Sequence, residues 1–136
     1  MEDLVQFLRD RLDEDEATAR AAASAERADT WTAIPDSYGG VLDGTGSRSL
    51  VVGYGDVMAP GTAAHIARHD PARVLAEVEA KRRIIDDVVP QIDGMEDRID
   101  SEWGAGDPTE RESATLFRLL ALPYADHPDY REEWRP

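Results

Sequence analysis

Leu4, Leu8, Leu12, Ala19 and Ala23 recur at helical spacing and form one narrow apolar stripe, which predicts a helix over residues 3–28. Most of the other positions of this segment are charged or alanine. The run Asp13-Glu14-Asp15-Glu16 reads as a solvated helix face, with a site for a cation or a basic partner as the alternative. The pattern then changes period. Thr30-Trp31-Thr32-Ala33-Ile34 alternates and is β-prone, and Pro35 ends it. Tyr38-Gly39-Gly40 and Asp43-Gly44-Thr45-Gly46 are turn signals, and Ser49 to Tyr54 is the strongest strand. Residues 30–58 therefore predict a small antiparallel sheet of two or three strands with its hairpin tip near Asp43-Gly44.

Helical spacing returns over residues 62–103. Thr62 is a candidate cap for a short helix through Arg68. Asp70 followed by Pro71 is a helix start, because the carboxylate can take a free N–H and proline at the first position has none to lose. Beyond it, Val78, Ile85, Ile92 and Ile99 occupy one heptad position, and Val74, Lys81, Val88 and Met95 the other. This is a coiled-coil-like seam interrupted by Lys81. Pro90 and Gly94 contradict a straight helix, so a break is expected near Val89, with a second piece reaching Trp103. Gly104-Ala105-Gly106 is a link, and Asp107-Pro108-Thr109-Glu110 predicts the start of a helix over 108–122. Its segment Leu116 to Leu122 is the most apolar of the chain. The tail after Pro123 carries Tyr124, Tyr130 and Trp134, which predicts a packed terminus rather than a frayed one. The sum is an α+β fold, mostly helical, in a single domain over 1–136: three main helices packed with the small sheet.

Composition narrows the function. The 136 residues carry 29 acids against 15 bases, a formal net charge of −14. Such a chain does not grip nucleic acid or anionic lipid through a basic surface. Without cysteine it has no disulfide, thiolate nucleophile or Cys-based metal site. Its opening Met1-Glu2-Asp3 is unlike a secretory signal and no apolar run reaches membrane-span length, so a cytoplasmic location is expected. The acid is spread along the whole chain, so it serves solubility first and recognition second.

The segments His65 to Ile84 and Leu120 to Trp134, with Asp3-Leu4-Val5-Gln6-Phe7-Leu8 and the Trp31 strand, are distinctive. They resemble a family of small proteins from actinobacteria and their phages, a domain of unknown function. The resemblance spans nearly the whole chain, apart from a stretch around 86–110. It implies a compact bacterial or phage-borne protein and supplies no reaction, cofactor or catalytic residue.

Few residues offer chemistry. His65 and His69 lie four apart and share a helix face, a spacing that supplies two ligands to zinc or a similar ion. Asp126 and His127 could complete that site. The alternative is structural, with His69 bonded at the helix junction, His65 packed on the tail and Asp70 committed as a cap. No serine sits in a nucleophile elbow, and the glycines near Gly44 and Gly53 lack a phosphate-loop lysine. Lys81-Arg82-Arg83 is the one basic cluster, and ion pairing with the acids of the first helix is its expected role.

Two readings follow. The leading one is a non-catalytic protein-interaction module without cofactor, binding a basic partner or imitating DNA charge, with Trp31, Tyr124, Tyr130, Trp134, Arg82 and Arg83 as its surface. The rival is a small metal-binding protein or metal-dependent enzyme using His65, His69 and His127. A homo-oligomer joined through the 74–99 seam is a third.

Overall fold

The apolar stripe of the first segment folds as α1 (Glu2–Glu26), with Leu4, Leu8, Leu12 and Ala19 buried and Phe7 beside them. Its end is set by Arg27, at φ 52°, with the Ala28 N–H reaching back to the Ala23 carbonyl at 3.1 Å. In the computed structural model, which describes residues 1–34, 40–52, 58–107 and 110–136, the chain is α+β and mostly helical with one small sheet. Its backbone contacts fall into two units, Glu14–Val78 and Met1–Asp13 with Glu79–Pro136.

The unit Glu14–Val78 contains the sheet. Strands β1 (Trp31–Ala33), β2 (Gly40–Asp43) and β3 (Ser49–Val52) run antiparallel in the order β1-β2-β3. Trp31 faces Asp43 across the first pair, and Val41 faces Val51 across the second, with an irregularity between Val41 and Leu42. The expected tip at Asp43-Gly44 becomes a longer loop. Asp43 organises it: its Oδ1 accepts the Thr45 hydroxyl at 2.7 Å and the Ser47 N–H at 2.9 Å. These bonds hold the Asp43 carboxyl below the ordinary carboxylate range, with the Thr45 bond the largest cause. Gly44 lies so close to Thr30 that a Cβ there would sit 2.2 Å from the threonine Oγ1. The turn at Tyr38-Gly39, the strand end at Pro35 and the stretch Gly53-Tyr54 lie outside the described residues.

One whole helix and the first part of the next complete this unit. Helix α2 (Pro60–Arg68) lays Ala63 and Ala67 against Val41, with Trp31, Ala33, Met58 and Ile66 around them. It starts two residues before Thr62, which donates its N–H to the Ala59 carbonyl instead of capping. Helix α3 (Pro71–Arg83) begins as expected: Asp70 Oδ1 takes the Arg73 N–H at 2.9 Å, with Pro71 at the first position. The seam residue Val78 is buried.

In the other unit the helix does not break at Pro90. Residues 84–88 form a π-helical turn in which the Val89 N–H bonds to the Ile84 carbonyl, and α4 (Val89–Trp103) follows directly. Proline lacks an N–H and its ring crowds the carbonyl four residues back. The wider turn just before it accommodates both without ending the helix. Helix α5 (Glu112–Ala121) starts after, not at, the expected Asp107 cap, and Arg111 is its first flanking residue. Pro108 and Thr109 lie outside the described residues. The Asp107 carbonyl accepts the Glu110 N–H in a turn instead. Helix α5 buries Ala114, Phe117 and Ala121, and this unit also buries Leu4, Phe7, Leu8, Leu12, Ile85, Val89 and Trp134.

Candidate functional site

The aromatic tail packs, and Phe7 is its centre. Tyr124, His127, Tyr130 and Trp134 all place their rings 5.1–6.4 Å from that of Phe7, mostly edge-on. Short 3₁₀ turns at Leu122–Tyr124 and Glu132–Trp134 shape the tail around it. Arg11, buried on α1, lies over the Phe7 ring and sends Nη1 to within 2.8 Å of both ring nitrogens of His127. The Asp129 N–H donates to His127 Nδ1 at 3.1 Å. His127 thus serves as an acceptor inside the tail, and Asp126 is exposed beside it. Trp134 is buried, so its ring belongs to the core and offers no surface. Arg131 lies over that ring and pairs with Asp3 at 2.9 Å. Lys81 reaches the Tyr124 ring, Arg82 pairs with Asp13 of α1, and Arg83 lies 3.9 Å from Asp87.

His65 and His69 stand in the unit Glu14–Val78, exposed at the C-terminal end of α2. Their ring centroids are 4.4 Å apart, and His69 Nδ1 lies 2.9 Å from the His65 carbonyl oxygen. Asp70 is occupied on both oxygens, by Arg73 and by the Trp31 N–H. Among the described residues no three His, Asp or Glu side chains converge on a point that could hold a metal ion. Trp31 is half-buried, with its indole N–H on the Ala28 carbonyl.

The most built polar arrangement joins α4 to α5, and sequence reasoning missed it. Arg111 contacts Asp93 at 2.9 Å, Asp97 at 2.7 Å and Asp100 at 2.5 Å, one acid from each successive turn of α4. The guanidinium holds the Asp100 carboxyl below its ordinary range, and the aspartates raise the arginine in turn. Glu96, between them on the same helix, takes the N–H groups of Glu112 at 2.6 Å and Ser113 at 3.4 Å, and the Ser113 hydroxyl at 2.6 Å. It therefore caps α5 from a neighbouring helix. The sequence signal was present as acids at 93, 96, 97 and 100, three and four apart.

The adjoining face of α4 is largely exposed. The seam positions Val78 and Ile85 are buried, but the same seam emerges at Met95 (53% exposed) and Ile99 (58%), with Val88 and half-buried Ile92 in line, and Trp103 (83%) follows Ile99 one helical turn on. Beside Ile99 lies a groove of 310 Å³ whose carboxylates are Glu96, Asp100, Asp107, Glu110 and Glu112. The lone cation lining it, Arg111, is the one already held by three aspartates.

These features define a small, mostly helical α+β protein with an acidic, apolar-striped helix face. The chain belongs to a family of unknown function, DUF6221, whose family model matches residues 1–136. No curated protein and no solved structure matches it. Among the described residues no helix is long and apolar enough to cross a membrane.

Proposed function

We propose that this protein is a non-catalytic interaction module that receives a basic, amphipathic segment of a protein partner on the C-terminal half of α4. The observation that carries the reading is Trp103, 83% exposed at the end of a stripe in which Ile92, Met95, Ile99 and Trp103 follow one another at helical spacing. Single exposed apolar residues are ordinary, but a contiguous stripe ending in tryptophan is the composition of a docking surface. The groove at Ile99 supplies the charge complement: it holds five carboxylates against one arginine, and although Asp100 pairs with that arginine and Glu96 caps α5, the remaining excess of acid favours Lys or Arg on the partner. A second copy of this chain would bring the same acids face to face, which is unfavourable.

The test is titration with a synthetic amphipathic peptide that carries leucine at helical spacing and lysine elsewhere, followed by tryptophan fluorescence. The expected result is saturable binding at low salt that weakens at high salt. Trp103→Ser and Ile99→Ser should each weaken it by at least about tenfold while far-ultraviolet circular dichroism is unchanged, since both side chains are exposed. Equal binding by these variants, or no binding at low salt, overturns the reading. A dimer in sedimentation that Trp103→Ser dissociates would assign the face to a second copy instead.

A further inference from the structure

We propose that His65 and His69 form a two-histidine site for a divalent copper, nickel or zinc ion at the end of α2. The site is independent of the α4 face and lies on a different part of the chain. Helical geometry brings the two residues together: His65 is in the last turn of α2, and His69 is its C-terminal cap, one turn on. Their rings stand side by side with centroids 4.4 Å apart at an interplanar angle of 41°. A tetrahedral ion held at ordinary metal–nitrogen distances needs its two nitrogens about 3.4 Å apart, a separation comparable to that of the two rings.

The second observation concerns which nitrogen is available. His69 Nδ1 lies 2.9 Å from the His65 carbonyl oxygen. A carbonyl can only accept, so Nδ1 carries the proton and Nε2 keeps its lone pair for a ligand. A metal-ligating histidine ordinarily shows this arrangement, its other ring N–H given to a backbone carbonyl that fixes tautomer and orientation. Both side chains are exposed, so an ion reaches them directly. Asp70, next in sequence, contributes nothing, because both its oxygens are taken by backbone N–H groups. The remaining coordination positions fall to water or to a group from outside the chain. Two imidazoles favour copper over nickel and zinc.

The experiment is calorimetric titration of the full chain with copper chloride and zinc chloride, run on the wild type and on His65→Ala, His69→Ala and His127→Ala. Circular dichroism verifies that each variant is folded. The expected result is one saturable site, tighter for copper. His65→Ala and His69→Ala should each weaken it by at least the roughly tenfold that even an outer-shell change costs. His127→Ala should leave it unchanged. Absence of a saturable site in the wild type overturns the proposal. So does undiminished binding in either His65→Ala or His69→Ala, which would place the ion elsewhere, for example on the terminal amine. Loss of equal size in folded His127→Ala would replace the two-histidine site with a three-histidine one.

Discussion

The backbone N–H of Trp31 donates to Oδ2 of Asp70 at 3.1 Å, while Oδ1 of the same carboxylate takes the Arg73 N–H at 2.9 Å. One side chain therefore starts helix α3 and also ties down the first residue of β1, thirty-nine positions earlier. The Ala72 N–H reinforces the junction by donating to the Asp29 carbonyl at 2.9 Å. Replacing Asp70 by alanine removes a cap and orphans a strand N–H. The expected cost is about 1–3 kcal/mol, from the loss of the cap and the unsatisfied donor together. Asp70→Asn, which keeps one oxygen, should cost less. Denaturant unfolding of the two variants measures the difference, and an equal loss in both would refute the double role.

Gly44 is required for space. A Cβ at this position meets Thr30 Oγ1 at 2.2 Å, with the Thr30 Cβ at 3.0 Å and its carbonyl oxygen at 3.1 Å. Gly44→Ala should destabilise by about 1–3 kcal/mol, as overpacking does. Thr30→Ala removes the nearest of these atoms and should recover part of that loss. Strictly additive effects in the double-mutant cycle would contradict the contact.

Glu96 caps a helix to which it does not belong. Truncating it in Glu96→Ala leaves the Glu112 and Ser113 N–H groups without their acceptor and should cost about 1–2 kcal/mol, the usual range for a cap. Glu96→Gln keeps an acceptor oxygen and should recover part of it. Hydrogen exchange at the α5 amides gives a local readout, faster in Glu96→Ala than in the wild type.

The Arg111 cluster makes stability sensitive to acid. Asp100 titrates below its ordinary value of 3.8 when folded, chiefly through its bond to Arg111. The folded state therefore releases the proton more readily than the unfolded chain does. Its contribution is complete above pH 3.8 and disappears as the pH falls through the lowered folded value. The Tm difference between the wild type and Arg111→Gln should accordingly be present at neutral pH and narrow in acid below 3.8. A constant difference across that range would show that the arginine acts by packing alone.

Periodicity and local capping determined much of this protein. The α1 stripe, the strands at Trp31 and Ser49, the Asp70-Pro71 start and the packed tail all depend on neighbours in sequence or on a residue's own polarity, and each formed where its pattern placed it, whereas β2 (Gly40–Asp43) begins and ends on residues that read as turn signals. Pro90 forbids an ordinary turn, but whether the helix then breaks or widens depends on what the flanking apolar residues bury. With Ile85 and Val89 both in the core, widening was favoured. Helix α5 likewise begins at Glu112 rather than directly after Asp107. The acceptor for the first amides of α5 is Glu96 on α4, and sequence spacing cannot show which acid reaches a helix end. The heptad seam was readable from Val74 to Ile99, yet only tertiary packing decided that Val78 and Ile85 would be covered while Met95 and Ile99 stayed at the surface. Burial depends on where other segments end, and helical spacing records only which side chains share a face.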